Sequence, residues 1–147
     1  MKVQYWIPGI PRQTRYEYSG HKRTAEVIAW QDTIRKEILI QGKPCFDEWP
    51  VDTPLYCYIR IFRKRTIRQK NLYPIQTPDT KNYFACTEDA ISRFLIPDDR
   101  LNVVITCLKF YAHTYYPKTN AHESIEQQEP GVYIEVGTIE PLTGRKK

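Results

Sequence analysis

The pattern of this chain predicts an α+β fold, a small mixed β-sheet packed against two main helices. Three observations lead there. Period-two alternation of apolar residues recurs in four short stretches, as in half-buried strands. Apolar residues recur at helical spacing in two longer stretches. The six follow one another as strand, helix, strand, helix, strand, strand, within a length that suits one domain, residues 1–147.

The first strand is KVQYWI, residues 2–7, with Val3, Tyr5 and Ile7 on one side and Pro8, Gly9 and Pro11 ending it. A loop follows in which Arg12, Arg15, Lys22 and Arg23 interleave with Tyr16 and Tyr18. Basic and aromatic residues together suit a phosphate backbone. From Thr24 to Gln41, Val27, Trp30, Ile34 and Ile38 keep helical spacing; Thr24 is the expected N-cap and Gly42 the expected residue past the end. Residues 43–54 read as a proline-rich connection. Leu55, Cys57, Ile59 and Ile61 then mark a second strand, which runs into RIFRKRTIRQK, residues 60–70, with six Arg or Lys in eleven positions.

A second helix is expected from Lys81 to Phe94, its inner stripe being Tyr83, Thr87, Ala90, Ile91 and Phe94. Asp79 or Thr80 is placed to cap it. After the turn IPDDR comes a strand from Asn102 to Ala112, apolar on both faces, which predicts a central place in the sheet. Residues 113–131 have no clear period and read as an exposed excursion. Val132, Ile134 and Val136 mark the last strand, and residues 141–147 a frayed tail.

Charge and cysteine usage narrow the function classes. The formal net charge is +5 with a pI near 9.0, a weak pointer to nucleic acid that the clustering at 60–70 sharpens. The four cysteines, Cys45, Cys57, Cys86 and Cys107, form no CxxC pair and read as free thiols. No apolar run approaches the roughly 18 residues of a membrane span, and no leader is apparent, so a soluble, reduced, cytoplasmic protein is expected.

The chemistry concentrates between Pro78 and Arg100. Asp79, Asp89, Asp98 and Asp99 stand around one helix, just downstream of the cationic arm. Acids gathered beside cations suit a divalent metal facing a phosphodiester.

PDTKN at 78–82, DA at 89–90 and PDDRLNVV at 97–104, with IPGIPRQTR near the start, carry a resemblance to the RusA-type Holliday junction resolvases. These are homodimeric, Mg²⁺-dependent endonucleases, largely of phages and prophages, and the likeness covers most of the chain. It implies a structure-specific endodeoxyribonuclease in the bacterial cytoplasm, cutting four-way or other branched DNA as a dimer, with Mn²⁺ a possible substitute metal and no membrane or small-molecule cofactor. By the resemblance Asp79 and Asp99 are metal-binding catalytic acids, Asp98 stands beside the second, and Asn82 and Asp89 support them. Arg12, Arg15, Arg63, Lys64, Arg65 and Arg68 would grip DNA.

The chain departs from the pattern at two positions. Lys81 stands where the family has a middle acid, and Ala85 where it has a lysine. An ammonium cannot ligate Mg²⁺. Either Asp98 supplies the missing oxygens, or Lys81 takes over stabilisation of developing negative charge, or the site is idle and the protein binds branched DNA without cutting. The triplet Asp98-Asp99-Arg100 has Arg where the PD-(D/E)xK nucleases need Lys, and that reading is set aside.

Overall fold

The alternating stretches pair into one four-stranded sheet of order β1–β6–β2–β3. The computed structural model describes residues 1–13, 24–66, 68–75 and 79–139. The basic and aromatic loop from Arg15 to Arg23 and the expected frayed tail, 141–147, lie outside the described residues. Strand β1 is Lys2–Pro8, β2 Leu55–Arg63, β3 Asn102–Tyr111 and β6 Gly131–Thr138. The two-residue strands β4, Tyr115–Tyr116, and β5, Ile125–Glu126, form a separate hairpin. β6 runs antiparallel to both β1 and β2, whereas β3 runs parallel to β2. A parallel neighbour needs a crossover, and α2, Thr80–Ile91, supplies it.

Both helices pack on one face of the sheet. Helix α1, Ala25–Gln41, is capped as expected: Val27 N–H donates to Thr24 Oγ1 at 3.3 Å, and Gly42, at φ 107°, donates its N–H to Ile38 O at 3.0 Å. Its buried stripe, Val27, Trp30, Ile34 and Ile38, meets Tyr5 and Ile7 of β1, Ile59 and Ile61 of β2, and Ile134 and Val136 of β6 in the main core. Ile34 and Ile38 are wholly buried, so truncating either to Ala costs about 2–5 kcal/mol. Buried Gln31 ties the helices together by donating Nε2 to Cys86 O at 2.9 Å. Gly9, at φ 134°, lies against Trp30; a Cβ there would come within 2.7 Å of the indole. Cys57 and Cys86 are buried and Cys107 half-buried, and none of the four cysteines is in a disulfide.

Three expectations are corrected. β3 is an edge strand, not a central one. Its two-faced apolar character comes from the helix side and the hairpin side at its C-terminal half, while Val103, Val104 and Ile105 stay exposed. The segment 113–131 is not simply an exposed excursion. Tyr116 and Ile125 are buried with Phe62, Phe110 and Ala112, forming a second, smaller core on the face opposite the helices. Helix α2 stops at Ile91 rather than Phe94. Arg93 takes φ 59°, and the chain turns so that Leu95 and Ile96 become wholly buried; that burial outweighs continuing the helical period. Among the described residues no helix is long and apolar enough to cross a membrane.

Candidate nucleic-acid interface

Helix α2 sets the geometry, because its two ends carry opposite chemistry. Asp79 is its N-cap by backbone conformation, and its C=O accepts from the N–H groups of Asn82 and Tyr83 at 3.0 and 3.4 Å. The Asp79 side chain makes no capping hydrogen bond and is exposed. Capping therefore does not account for this carboxylate.

Cations surround that end. Lys109 of β3 interacts with Asp79; burial, and then Arg63 beside it, hold the Lys109 ammonium below its usual range while Asp79 pulls the other way. Arg63, the last residue of β2, lies over the Tyr83 ring, 5.9 Å from the centroid. The Arg12 charge acts on the same phenol. Burial raises the Tyr83 pKa and the two guanidiniums oppose it. Arg12 and Tyr83 share the lining of a cavity of about 160 Å³ with Pro11, Gln13, Thr24, Glu26 and Val27. Lys81 is exposed on the first turn of the helix. Arg63, Lys81 and Lys109 at this helix N-terminus, with Arg12 beside Tyr83, make an anion-attracting surface, reinforced by the helix dipole.

The other end is acidic. Glu88 accepts from Asn102 Nδ2 at 3.1 Å and lies within reach of Asp89 and Asp99. Burial, with the two neighbouring carboxylates adding to it, lifts the Glu88 pKa. Asp98 caps the short 3₁₀ turn Asp99–Leu101, accepting from Arg100 N–H at 3.0 Å, a bond that holds its carboxyl below the usual range. Arg100 also lies 3.8 Å from Asp98 and 3.1 Å from Asp52. Asp98 is thus occupied as a turn cap. The Oδ1 atom of Asn102 is buried without a hydrogen-bond partner beside these acids.

The expected set Asp79, Asp98 and Asp99 is not brought together within one chain. Cys107 Sγ lies 3.9 Å from Thr80 O, and Asn102 touches Glu88, so α2 and β3 run in opposite directions. Thr80 to Glu88 spans about 12 Å of helix, and Asp79 and Asp99 lie beyond those two marks. Oxygens sharing one Mg²⁺ must each lie at about 2.1 Å from it. Among the described residues no three His, Cys, Asp or Glu side chains gather to hold an ion. The oxygen-only donors suit a hard cation in kind, but the predicted set does not fit one in place. The physical reason is that α2 runs antiparallel to β3, so Asp79 at the helix start and Asp99 before the strand start stand at opposite ends.

The expected DNA-gripping residues divide. Lys64 and Arg68 are exposed, Arg63 joins the cluster at Asp79, and Arg12 lines the cavity beside Tyr83. Arg15 lies outside the described residues. Arg65 staples the loop. Its guanidinium donates to Gln69 O, Asn71 O and Leu72 O at 2.8–3.1 Å and lies 4.1 Å from the Tyr111 ring centroid. Asp89 stands exposed at the acidic end. Lys109, Tyr83, Glu88 and Asn102 were not expected in the site. The one signal for them was Lys109, a lysine in the same alternating set as Ile105 and Cys107. Comparison with protein-family models and with curated proteins found no match to this chain.

Proposed function

We propose that this chain acts on branched DNA as a RusA-type structure-specific endodeoxyribonuclease, working as a homodimer, with Mg²⁺ or Mn²⁺ as its metal. The observation that carries the reading is the gathering of Arg63, Lys81 and Lys109 at the Asp79 end of α2, with Arg12 lining the cavity beside Tyr83 one turn along. Such a surface attracts a phosphodiester, while Lys64 and Arg68 extend the cationic character along the adjoining loop. Contacts of this kind read backbone and shape, which is what defines a four-way junction. Among the described residues, one chain alone does not gather the carboxylates that would seat the metal.

A second reading is a RusA-like protein that binds branched DNA without cutting. Lys81 in place of the family's middle acid, and the distance between Asp79 and Asp99, favour it. The test is a synthetic four-way junction incubated with Mg²⁺ for cleavage, and with EDTA for binding. Paired nicks near the branch support the nuclease. Tight junction binding with no nicking after long incubation replaces it by the second reading. Equal affinity for junction and linear duplex at fixed salt removes both.

A further inference from the structure

A cavity of about 540 Å³ opens at the end of the sheet where β1, β2 and β3 finish and β6 begins. β2 and β3 run parallel there, and the space beyond the carboxyl ends of parallel strands is where open sheets commonly hold ligands. The volume is in the range of small-molecule sites, about 300–1,000 Å³. Ile10, Ala112 and Pro130 make its apolar wall, with Lys64, Arg65, Thr66 and His113 around them. Backbone bonds fix the surrounding chain: Gly9 N–H donates to Pro130 O at 3.1 Å, Ala112 N–H to Arg63 O at 2.8 Å and His113 N–H to Gln127 O at 2.8 Å. His113 is held at φ 57°, a left-handed backbone that is unfavourable for a residue with a Cβ and recurs at ligand sites.

Arg65 decides the kind of ligand. Both its terminal nitrogens are committed, Nη1 to Gln69 O and Asn71 O, Nη2 to Leu72 O and Thr114 Oγ1. A guanidinium so occupied does not grip a phosphate with its fork, yet its plane can still stack, as guanidiniums do on bases. Lys64 is exposed and makes no ion pair among the described residues. An apolar wall, a fixed planar cation and one point charge together suit a nucleobase whose phosphate meets Lys64. Lys64 directly follows Arg63, which stands beside Lys109 at the Asp79 end. A DNA backbone lying along those cations therefore passes within a residue of the cavity.

We propose that this cavity takes one unpaired base of the bound DNA, stacked against Arg65, with the flanking phosphate at Lys64. An unpaired or mismatched base leaves the stack more cheaply than one within a duplex. Such a site therefore favours branched over linear DNA, because pairing opens most easily at the crossover, and it does so without reading a sequence. The proposal rests on the branched-DNA reading above and names the part of that substrate which a single chain holds.

An NMR titration of the full chain with deoxyadenosine monophosphate in EDTA tests it, with no junction present. Saturable amide shifts at Ile10, Thr66, Ala112 and His113 are expected. Deoxyribose phosphate, which keeps the charge and lacks the base, should bind roughly tenfold more weakly, the loss of one stacked base. Ile10 is 47% exposed, so Ile10→Trp can fill the cavity from its rim and should remove the saturable shifts. Lys64→Gln leaves the volume alone and should weaken binding several-fold. A short deoxyadenylate strand should displace the monophosphate. No saturable shift, shifts confined to the Asp79 end, equal binding of the two phosphates, full binding by a folded Ile10→Trp chain, or unchanged affinity in Lys64→Gln overturns the inference. So does a monophosphate that the strand does not displace, which would mark a site for a free nucleotide. A chain that holds the monophosphate here but binds junction and linear duplex alike leaves the cavity standing and removes the branched-DNA reading instead.

Discussion

The two ends of α2 differ in how their charges are held, and the difference separates what each end can attract. At the Asp79 end, cations come from three separate places in the chain, Arg12, Arg63 and Lys109, and converge on an aromatic ring, Tyr83, and a single carboxylate, Asp79. At the other end the acids outnumber the cations and are partly committed: Asp98 to the turn and to Arg100, Glu88 to Asn102. One end is arranged to meet an anion from outside. The other gathers negative charge suited to a cation.

The sharpest way to break this contrast is to disable the ends separately. Asp79→Asn and Asp99→Asn should each lower junction cutting by about a hundredfold, at least the upper range for disturbing a metal site's outer ligands, while binding in EDTA changes little. If each site takes one end from each copy, mixing the two variants restores nicking in about half the dimers, each with one complete site. Mixtures as inactive as the single variants would mean that the ends act within one chain.

A smaller effect is expected at the cationic end. Replacing Arg12 and Arg63 together by Ala should weaken junction binding by roughly tenfold at moderate salt. It should also make the dependence of log affinity on log salt shallower by about 2. Filter binding across a salt series reads both. An unchanged slope would show that these guanidiniums serve Tyr83 and the fold, not a phosphate.

The smallest effect lies at the acidic end and appears in stability. The Glu88 pKa is raised in the folded chain, so the fold holds that proton more tightly than the unfolded chain does. The ionised form therefore opposes folding above the raised folded pKa, and the opposition disappears below the ordinary glutamate value. Glu88→Gln keeps an oxygen for Asn102 and removes the charge. It should raise Tm at neutral pH by about 1 °C, a small gain because the group is half exposed. The advantage should shrink as the pH falls through the raised pKa and be gone below the ordinary glutamate value. A neutral-pH Tm that falls would mean that the Glu88 charge itself stabilises this end.

Much of the fold was legible from local pattern. The alternation at 2–7, 55–61 and 132–136, the stripe Val27, Trp30, Ile34 and Ile38, and the caps Thr24 and Gly42 all correspond to the observed elements. Each of these signals is the imprint of burial or a backbone bond within a few residues, which is the range a periodicity reports. The site was legible only in its ingredients. Asp79, Asp98 and Asp99 could be picked out as acids, and residues 60–70 as a cationic run, but Arg65 looks like Arg63 in sequence. Only the packing of the loop makes one a staple over Tyr111 and the other a neighbour of Tyr83.

By itself, then, the sequence determined which stretches are strands and helices, which faces they bury, and the types of charge available. The tertiary structure alone decided that β3 is an edge and that α2 separates Asp79 from Asp99. The reason is physical. A strand's side chains alternate in the same way wherever it lies in a sheet, and carboxylates far apart in the chain meet or part according to the path between them. That path is set by α2 packing antiparallel to β3, a contact that no local pattern contains.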